Sequence, residues 1–134
     1  MKITLDTNFL ISSTQWDTSV AHKLLKKLIK IEATLFVTPG ILEEFIEVLG
    51  RDFRYNPPEV EKIMRSVLSF VEVIEPLKKV QIIKDDPDDD QVIECAIASC
   101  SELIITYDNH LLKLGRYENI TILKPEEAAK IIPE

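Results

Sequence analysis

Apolar positions follow two rhythms that alternate along the chain. Short β-prone runs cover residues 2–5, 34–38, 103–106 and 120–123. The run Leu103 to Thr106 shows no polar alternation, which predicts a strand buried on both faces. Between the runs, apolar residues recur at helical spacing. Val20, Leu24, Leu25, Leu28 and Ile29 predict an amphipathic helix over about 17–31. Thr38 and Pro39 supply an N-cap and first helical residue for a helix carrying Ile41, Leu42, Phe45, Ile46 and Leu49 towards Gly50. Asn56 with Glu59 has the form of a capping box, opening a helix through Val60, Ile63, Met64, Val67, Leu68 and Val71. Val92, Ile93, Ala96, Ile97 and Cys100 predict the inward face of a helix from Asp88–Asp90 to about Ser101. Phe9, Leu10 and Ile11 mark another helix start, a short helix falls between Asp108 and Gly115, and Lys124-Pro125 opens a last one. Around Pro76, Val71–Ile74 and Val80–Ile83 are both β-prone, one expected to be a strand and the other an extended connection. Alternating strands and helices predict an α/β fold on a parallel sheet. With no internal repeat and no long linker, residues 1–134 read as one domain.

That topology gives four acids a shared meaning. Asp6 closes the first strand and Asp108 closes the run 103–107; Glu44 lies in the helix after the second strand, and Asp90 opens the helix before Leu103. Parallel strands end on one edge of the sheet, where open α/β folds place their sites. Asp6 alone has an equally good reading as a helix N-cap. A second Asp ending a second buried strand weakens that reading. Thr106 and Asn109 flank Asp108 and offer a hydroxyl and an amide to orient water or a carboxylate. Glu43 and Glu44 point about 100° apart on a helix and both border its apolar face, so the helical wheel does not choose between them. The acidic run 85–90 fails as a calcium loop. Counting from Asp86, it has Gln91 where glycine is required and Ile97 where a bidentate glutamate belongs. Capping by Asp88 or Asp89, with Asp90 turned to a metal, fits the run better.

Charge and composition narrow the chemistry. Two carboxylates ~5 Å apart repel by roughly 3 kcal/mol at an effective dielectric of 20. Several converging acids therefore call for a cation, and hard Mg²⁺ or Mn²⁺ choose all-oxygen sites. The net charge of −7 argues against nucleic-acid binding by charge alone, but not against a nuclease whose bound cations reverse the local field. Lys23, Lys26, Lys27 and Lys30 form a stripe at helical spacing, more simply a solvated face than a phosphate site. His22 and His110 fit surface or capping roles. With 46% hydrophobic residues the chain can bury one core without disulfides or structural metals. Cys95 and Cys100, five apart on a helix, are not placed to pair and suit a reducing cytoplasm. No apolar run approaches the ~20 residues of a membrane span, so no membrane partner is expected.

Four segments resemble the PIN-domain family, in the family's order and over nearly the whole chain: Leu5-Asp6-Thr7-Asn8, Ile41-Leu42-Glu43-Glu44-Phe45, Asp86-Pro87-Asp88-Asp89-Asp90-Gln91 and Ile105-Thr106-Tyr107-Asp108. The stretch 86–90 is similar to that of the prokaryotic toxin-like branch. The resemblance implies a three-layer α/β/α sandwich and a Mg²⁺- or Mn²⁺-dependent ribonuclease, with the acids Asp6, Glu44, Asp90 and Asp108 as catalytic and metal-holding residues. It favours Glu44 over Glu43, because the family acid precedes a large apolar residue, here Phe45. It puts Asn8 and Thr106 in supporting positions. It also implies an RNA substrate, an antitoxin partner and homodimers. Tyr107 and Asn109 around the last acid depart from the family's habit, which bears on substrate preference.

Two readings compete. A non-catalytic module of the same fold would keep the acids without activity. A receiver-like phosphoacceptor domain would explain Lys124-Pro125 after the last strand. That second reading lacks an acid pair after the first strand and an Asp at 38 or 39.

Overall fold

The computed structural model describes residues 1–77, 79 and 87–133, with 87–89 described by their backbone alone. Among them, six strands form one sheet: β1 (Lys2–Leu5), β2 (Thr34–Val37), β3 (Glu72–Val73), β4 (Leu103–Ile105), β5 (Arg116–Tyr117) and β6 (Ile120–Leu123). Their spatial order is β3-β2-β1-β4-β6-β5. All pairings are parallel except β5 with β6. Seven helices accompany them: α1 (Thr7–Gln15), α2 (Val20–Lys30), α3 (Pro39–Arg51), α4 (Pro57–Leu68), α5 (Pro87–Ser99), α6 (Asn109–Leu114) and α7 (Pro125–Ile131).

The order of strands places the site. From β1 the chain steps outward to β2 and β3, then returns through α5 to β4 on the other side of β1, and continues to β6. Right-handed crossovers in opposite directions lie on opposite faces of a sheet. The result is helices on both faces, the three-layer α/β/α sandwich. The α5 helix packs on β1, β2 and β4, while α2 packs against α1 and α7. Between β1 and β4 the winding reverses, and the crevice beyond their C-terminal ends is the switch point where ligands bind in such sheets.

The core follows from the predicted stripes, with local corrections. Ile3, Leu5, Ile104 and Ile105 are fully buried in the central strands, and Phe9, Leu24, Leu28, Phe45 and Ile93 cover them. The α2 helix starts at Val20 rather than 17, because the Ser19 side chain caps it by accepting from the His22 N–H at 3.0 Å. Val20, Ile29 and Ile46, counted on apolar faces, are exposed at their edges. The α4 helix stops at Leu68, and Val71 belongs to the connection into β3. Of the two β-prone pieces around Pro76, the first contains β3; Val80–Ile83 lie outside the described residues. The β5 edge was not anticipated. It is a two-residue strand turned back on β6 through Glu118 at φ 51°. Cys100 does not face inward: it is exposed, and Cys95 and Ser99 are buried instead. Both cysteines are free. Among the described residues, no helix is long and apolar enough to cross a membrane.

Candidate active site

Asp6 follows β1 directly and is 6% exposed. One carboxylate oxygen accepts from the Thr7 N–H at 2.7 Å, so Asp6 does cap α1. The other accepts from the Thr106 hydroxyl at 2.6 Å and the Asn8 amide at 3.3 Å. Thr106 is fully buried at the end of β4, where parallel pairing with β1 brings it alongside. Its oxygen also receives the Asp108 N–H at 2.9 Å. The Asn8 side-chain oxygen in turn accepts the Tyr107 N–H at 2.9 Å. Two strand ends are thus laced together by side chains, and a nearly buried carboxylate takes hydrogen bonds from Thr7, Thr106 and Asn8. Asp108 caps α6, its Oδ1 accepting from the N–H groups of His110 (2.8 Å) and Leu111 (3.2 Å).

A cavity of about 440 Å³ opens above this lacing, lined by Asp6, Thr7, Asn8, Ile11, Ser12, Trp16, Glu44, Val48, Tyr107 and Asp108. Three of the four acids singled out from the sequence therefore face one space. Glu44, half-buried, lines it; Glu43 is exposed and does not. Glu44 also borders a smaller cavity of about 190 Å³ with Gly40, Glu43, Glu47 and Gln91. The amide end of Gln91 lies over Gly40, which brings the first turn of α5 against the start of α3. Asp90, one residue earlier, is 6% exposed and is not part of the larger cavity's lining. It sits at the same edge nonetheless. The Thr4 hydroxyl meets Cys95 at 3.7 Å, and from that level Asp90 is about 7.5 Å back along α5. Asp6 is about 6.6 Å on along the strand direction. Asn109 is exposed on α6 and does not line the cavity. Asp85 and Asp86, and the side chains of Asp88 and Asp89, lie outside the described residues.

The donors fit a hydrated hard cation better than a dry cage. Among the described residues, no three His, Cys, Asp or Glu side chains stand close enough to hold one ion together. Mg²⁺, however, keeps several waters and takes one or two carboxylates directly. Asp6, Glu44 and Asp108, with the Asn8 amide, supply oxygen donors of that kind around space wide enough for the waters.

Several lining residues escaped the sequence reading. The Tyr107 hydroxyl donates to Glu126 Oε1 at 2.7 Å, tying α7 to the crevice wall. Burial, then the Glu126 carboxylate, push its phenol up to about 12, while a Ser12 hydrogen bond opposes the rise. Ser12 and Trp16 continue the face of α1 that begins at Asn8. Their i, i+4 and i+8 spacing was the available signal, missed because α1 carries no strong amphipathic pattern. His22 Nδ1 lies 2.7 Å from the Ser13 carbonyl, joining α2 to α1. Lys23, Lys26 and Lys30 are exposed and Lys27 is half-buried, and none lines the cavity.

A small, mostly parallel α/β sandwich with carboxylates gathered at its switch point is the class that fold and crevice define. The family model for the PIN domain matches residues 2–110, and the chain belongs to that family. No curated protein matches it in sequence. Among solved structures, it is similar to a chain of VapBC2 from Rickettsia felis, in a crystal structure bound to a DNA fragment from their promoter. The two are 17% identical with a TM-score of 0.68, over 92% of this chain and 98% of that one, a likeness of fold.

Proposed function

We propose that the protein is a divalent-metal-dependent ribonuclease, acting as the toxin of a toxin–antitoxin pair. The observation that carries this reading is the convergence of Asp6, Glu44 and Asp108 on one cavity at the β1/β4 switch point. Asp6 and Asp108 would hold Mg²⁺ or Mn²⁺ directly, with Glu44 or Asp90 acting through water. Once bound, such a cation supplies Lewis acidity towards a bridging phosphate and lowers the pKa of its water. The chain does the rest. Thr106 and Asn8 fix the Asp6 carboxylate in one orientation, and the Asp108 cap fixes the other strand end. Outer partners of this kind commonly alter metal affinity or activity by about 10–100-fold when removed. Family membership supports the nuclease activity. The R. felis neighbour, a VapBC2 chain in a structure with promoter DNA, supports a protein partner for this chain; the proposal extends to a homodimer.

The test is cleavage of single-stranded and structured RNAs with Mg²⁺, Mn²⁺ or EDTA, by wild type and by Asp6→Asn and Asp90→Asn. Cleavage should need the cation and fall roughly a thousandfold in Asp6→Asn, the scale of losing a preorganised electrostatic group. Mn²⁺ should raise the Tm of wild type and not of Asp6→Asn. Metal-independent cleavage, or equal cleavage by the variants, would reject the mechanism. A second reading is a non-catalytic module of the same fold, since among the described residues no three such side chains stand close enough to hold one ion together. That reading predicts RNA binding without cleavage under every metal condition.

A further inference from the structure

We propose that Trp16 is a substrate-positioning residue of the crevice, a platform on which any unpaired nucleobase stacks beside the scissile bond. This deepens the ribonuclease reading and rests on it. Trp16 lines the same cavity as the acids yet is 52% exposed, unusual for the chain's one tryptophan. It follows directly on α1, whose face runs from Asn8 through Ile11 and Ser12 to Trp16, about 12 Å of helix axis. A strand with its phosphate over Asp6 therefore brings a neighbouring base, not the reacting nucleotide, to the indole.

The indole is held in place. Its backbone carbonyl accepts from the Ser19 N–H at 3.1 Å, and the Ser19 hydroxyl donates to the Ser12 carbonyl at 3.0 Å. Phe53 meets the ring at 5.6 Å, tilted by 54°. Tyr55 stacks on Phe53 at 5.7 Å, and its hydroxyl donates to Gln15 at 2.7 Å. Trp16 is thus backed on one side and open on the other. Exposed Arg54 lies on the same loop, between the two backing rings in the chain.

Charge says why such a platform is needed. At net −7, and with acids lining the crevice, phosphate contacts contribute little affinity. Stacking is uncharged, accepts any base face, and survives salt. Ile11 and Val48 extend the apolar side of the cavity, so its two halves match the two halves of a nucleotide.

Trp16 fluorescence gives a readout independent of cleavage, because no other tryptophan is present. The probe is a single-stranded 2′-O-methyl oligonucleotide, with a matched oligonucleotide carrying abasic sites. The intact oligonucleotide should quench Trp16 saturably, with little dependence on salt, and the abasic one should bind roughly tenfold or more weakly. Trp16→Ala should raise KM for RNA by a similar factor at nearly constant kcat, and Trp16→Phe should restore most of it. Equal binding of the two oligonucleotides, or an unchanged KM in Trp16→Ala, overturns the proposal while leaving the nuclease intact. Quenching without any cleavage by wild type supports the platform and rejects the nuclease. Indifference of Trp16 to both oligonucleotides, with its burial by a copurifying protein, would overturn it in favour of protein docking.

Discussion

The same pair of strands carries a polar cluster at each end, and the two behave differently. At the N-terminal end, Thr4, Ser99 and Ser101 are buried hydroxyls that satisfy one another: Thr4 Oγ1 lies 2.8 Å from Ser101 Oγ, which also meets Ser99 Oγ. All three groups are uncharged, and they close on one another. At the C-terminal end, Thr106 and Asn8 do for Asp6 what Ser101 does for Thr4, but the group they hold is a carboxylate facing a cavity. Buried polarity on a parallel sheet is a fastening when its groups close on themselves. It becomes a site when one member is charged and left an open side.

The largest expected effect breaks the two ends apart. Asp6→Asn should lower RNA cleavage by roughly a thousandfold while changing stability by no more than about 1 kcal/mol in either direction, since the amide keeps the shape and two of the bonds. Thr4→Val should do the reverse. It removes one hydroxyl of the closed cluster, costs about 1 kcal/mol in urea unfolding, and leaves kcat/KM unchanged. If both variants lost stability and activity together, the division between fastening and site would be wrong.

Thr106→Val sharpens the same contrast, because Thr106 belongs to both descriptions. It is fully buried, like Thr4, yet it touches Asp6 and receives the Asp108 N–H. Its loss should cost about 1–3 kcal/mol of stability by orphaning that N–H. It should also weaken cleavage by about 10–100-fold, with a matching rise in the Mn²⁺ concentration needed for half activity. Thr106→Ser, which restores the hydroxyl, should recover most of the metal dependence. A Thr106→Val enzyme with unchanged Mn²⁺ dependence would reduce Thr106 to a structural hydroxyl.

How much of this was legible in advance depended on whether a signal was local. Strands β1, β2, β4 and β6, and the Thr38 and Asn56 caps, announced themselves within a few residues. So did the two Asp residues at strand ends. What the chain could not announce was pairing at long range. The Asp6–Thr106 bond spans 100 residues, and only the β1/β4 register creates it. Trp16 carried no local signal, and Phe53, the ring it meets, sits more than thirty residues away with Tyr55 stacked behind it. Asp90 shows the same limit from the other side. Its place at the head of α5 was readable, but whether it faces the crevice depends on how that helix is rotated against α3.

Each end carries one acid that burial raises, the Tyr107 phenol at the open end and the Cys95 thiol at the closed one. Burial pushes the Cys95 thiol up to about 12, against a small opposing bond from Thr4. The folded chain therefore holds this proton over a range where the unfolded chain has released it. The stabilisation is complete below the ordinary thiol range near pH 9 and is lost as pH climbs towards 12. Over that window the wild type should lose stability more steeply than Cys95→Ala, by about 1.4 kcal/mol per pH unit. At pH 8 in the folded protein, Ellman's reagent should titrate a single thiol, that of exposed Cys100. Two fast-reacting thiols would mean that the closed end opens readily.

The smallest effect concerns the turn that builds the closed end. Cys100 sits at φ 56°, in the left-handed region, between Ser99 and Ser101. The Ser101 N–H reaches the Ala96 carbonyl at 2.9 Å and the Cys100 N–H reaches Ile97 at 3.2 Å, the two bonds of a Schellman motif. Glycine is usual at this position because a Cβ there costs about 1–2 kcal/mol. Cys100→Gly removes that strain but frees the unfolded chain, so the net gain should be roughly 0.5–1 kcal/mol, or a few degrees in Tm. Cleavage should not change, because the turn lies at the far end of α5 from the crevice. A gain in stability with a loss of activity would show instead that the length of α5 couples the two ends, and that the closed cluster sets where Asp90 stands.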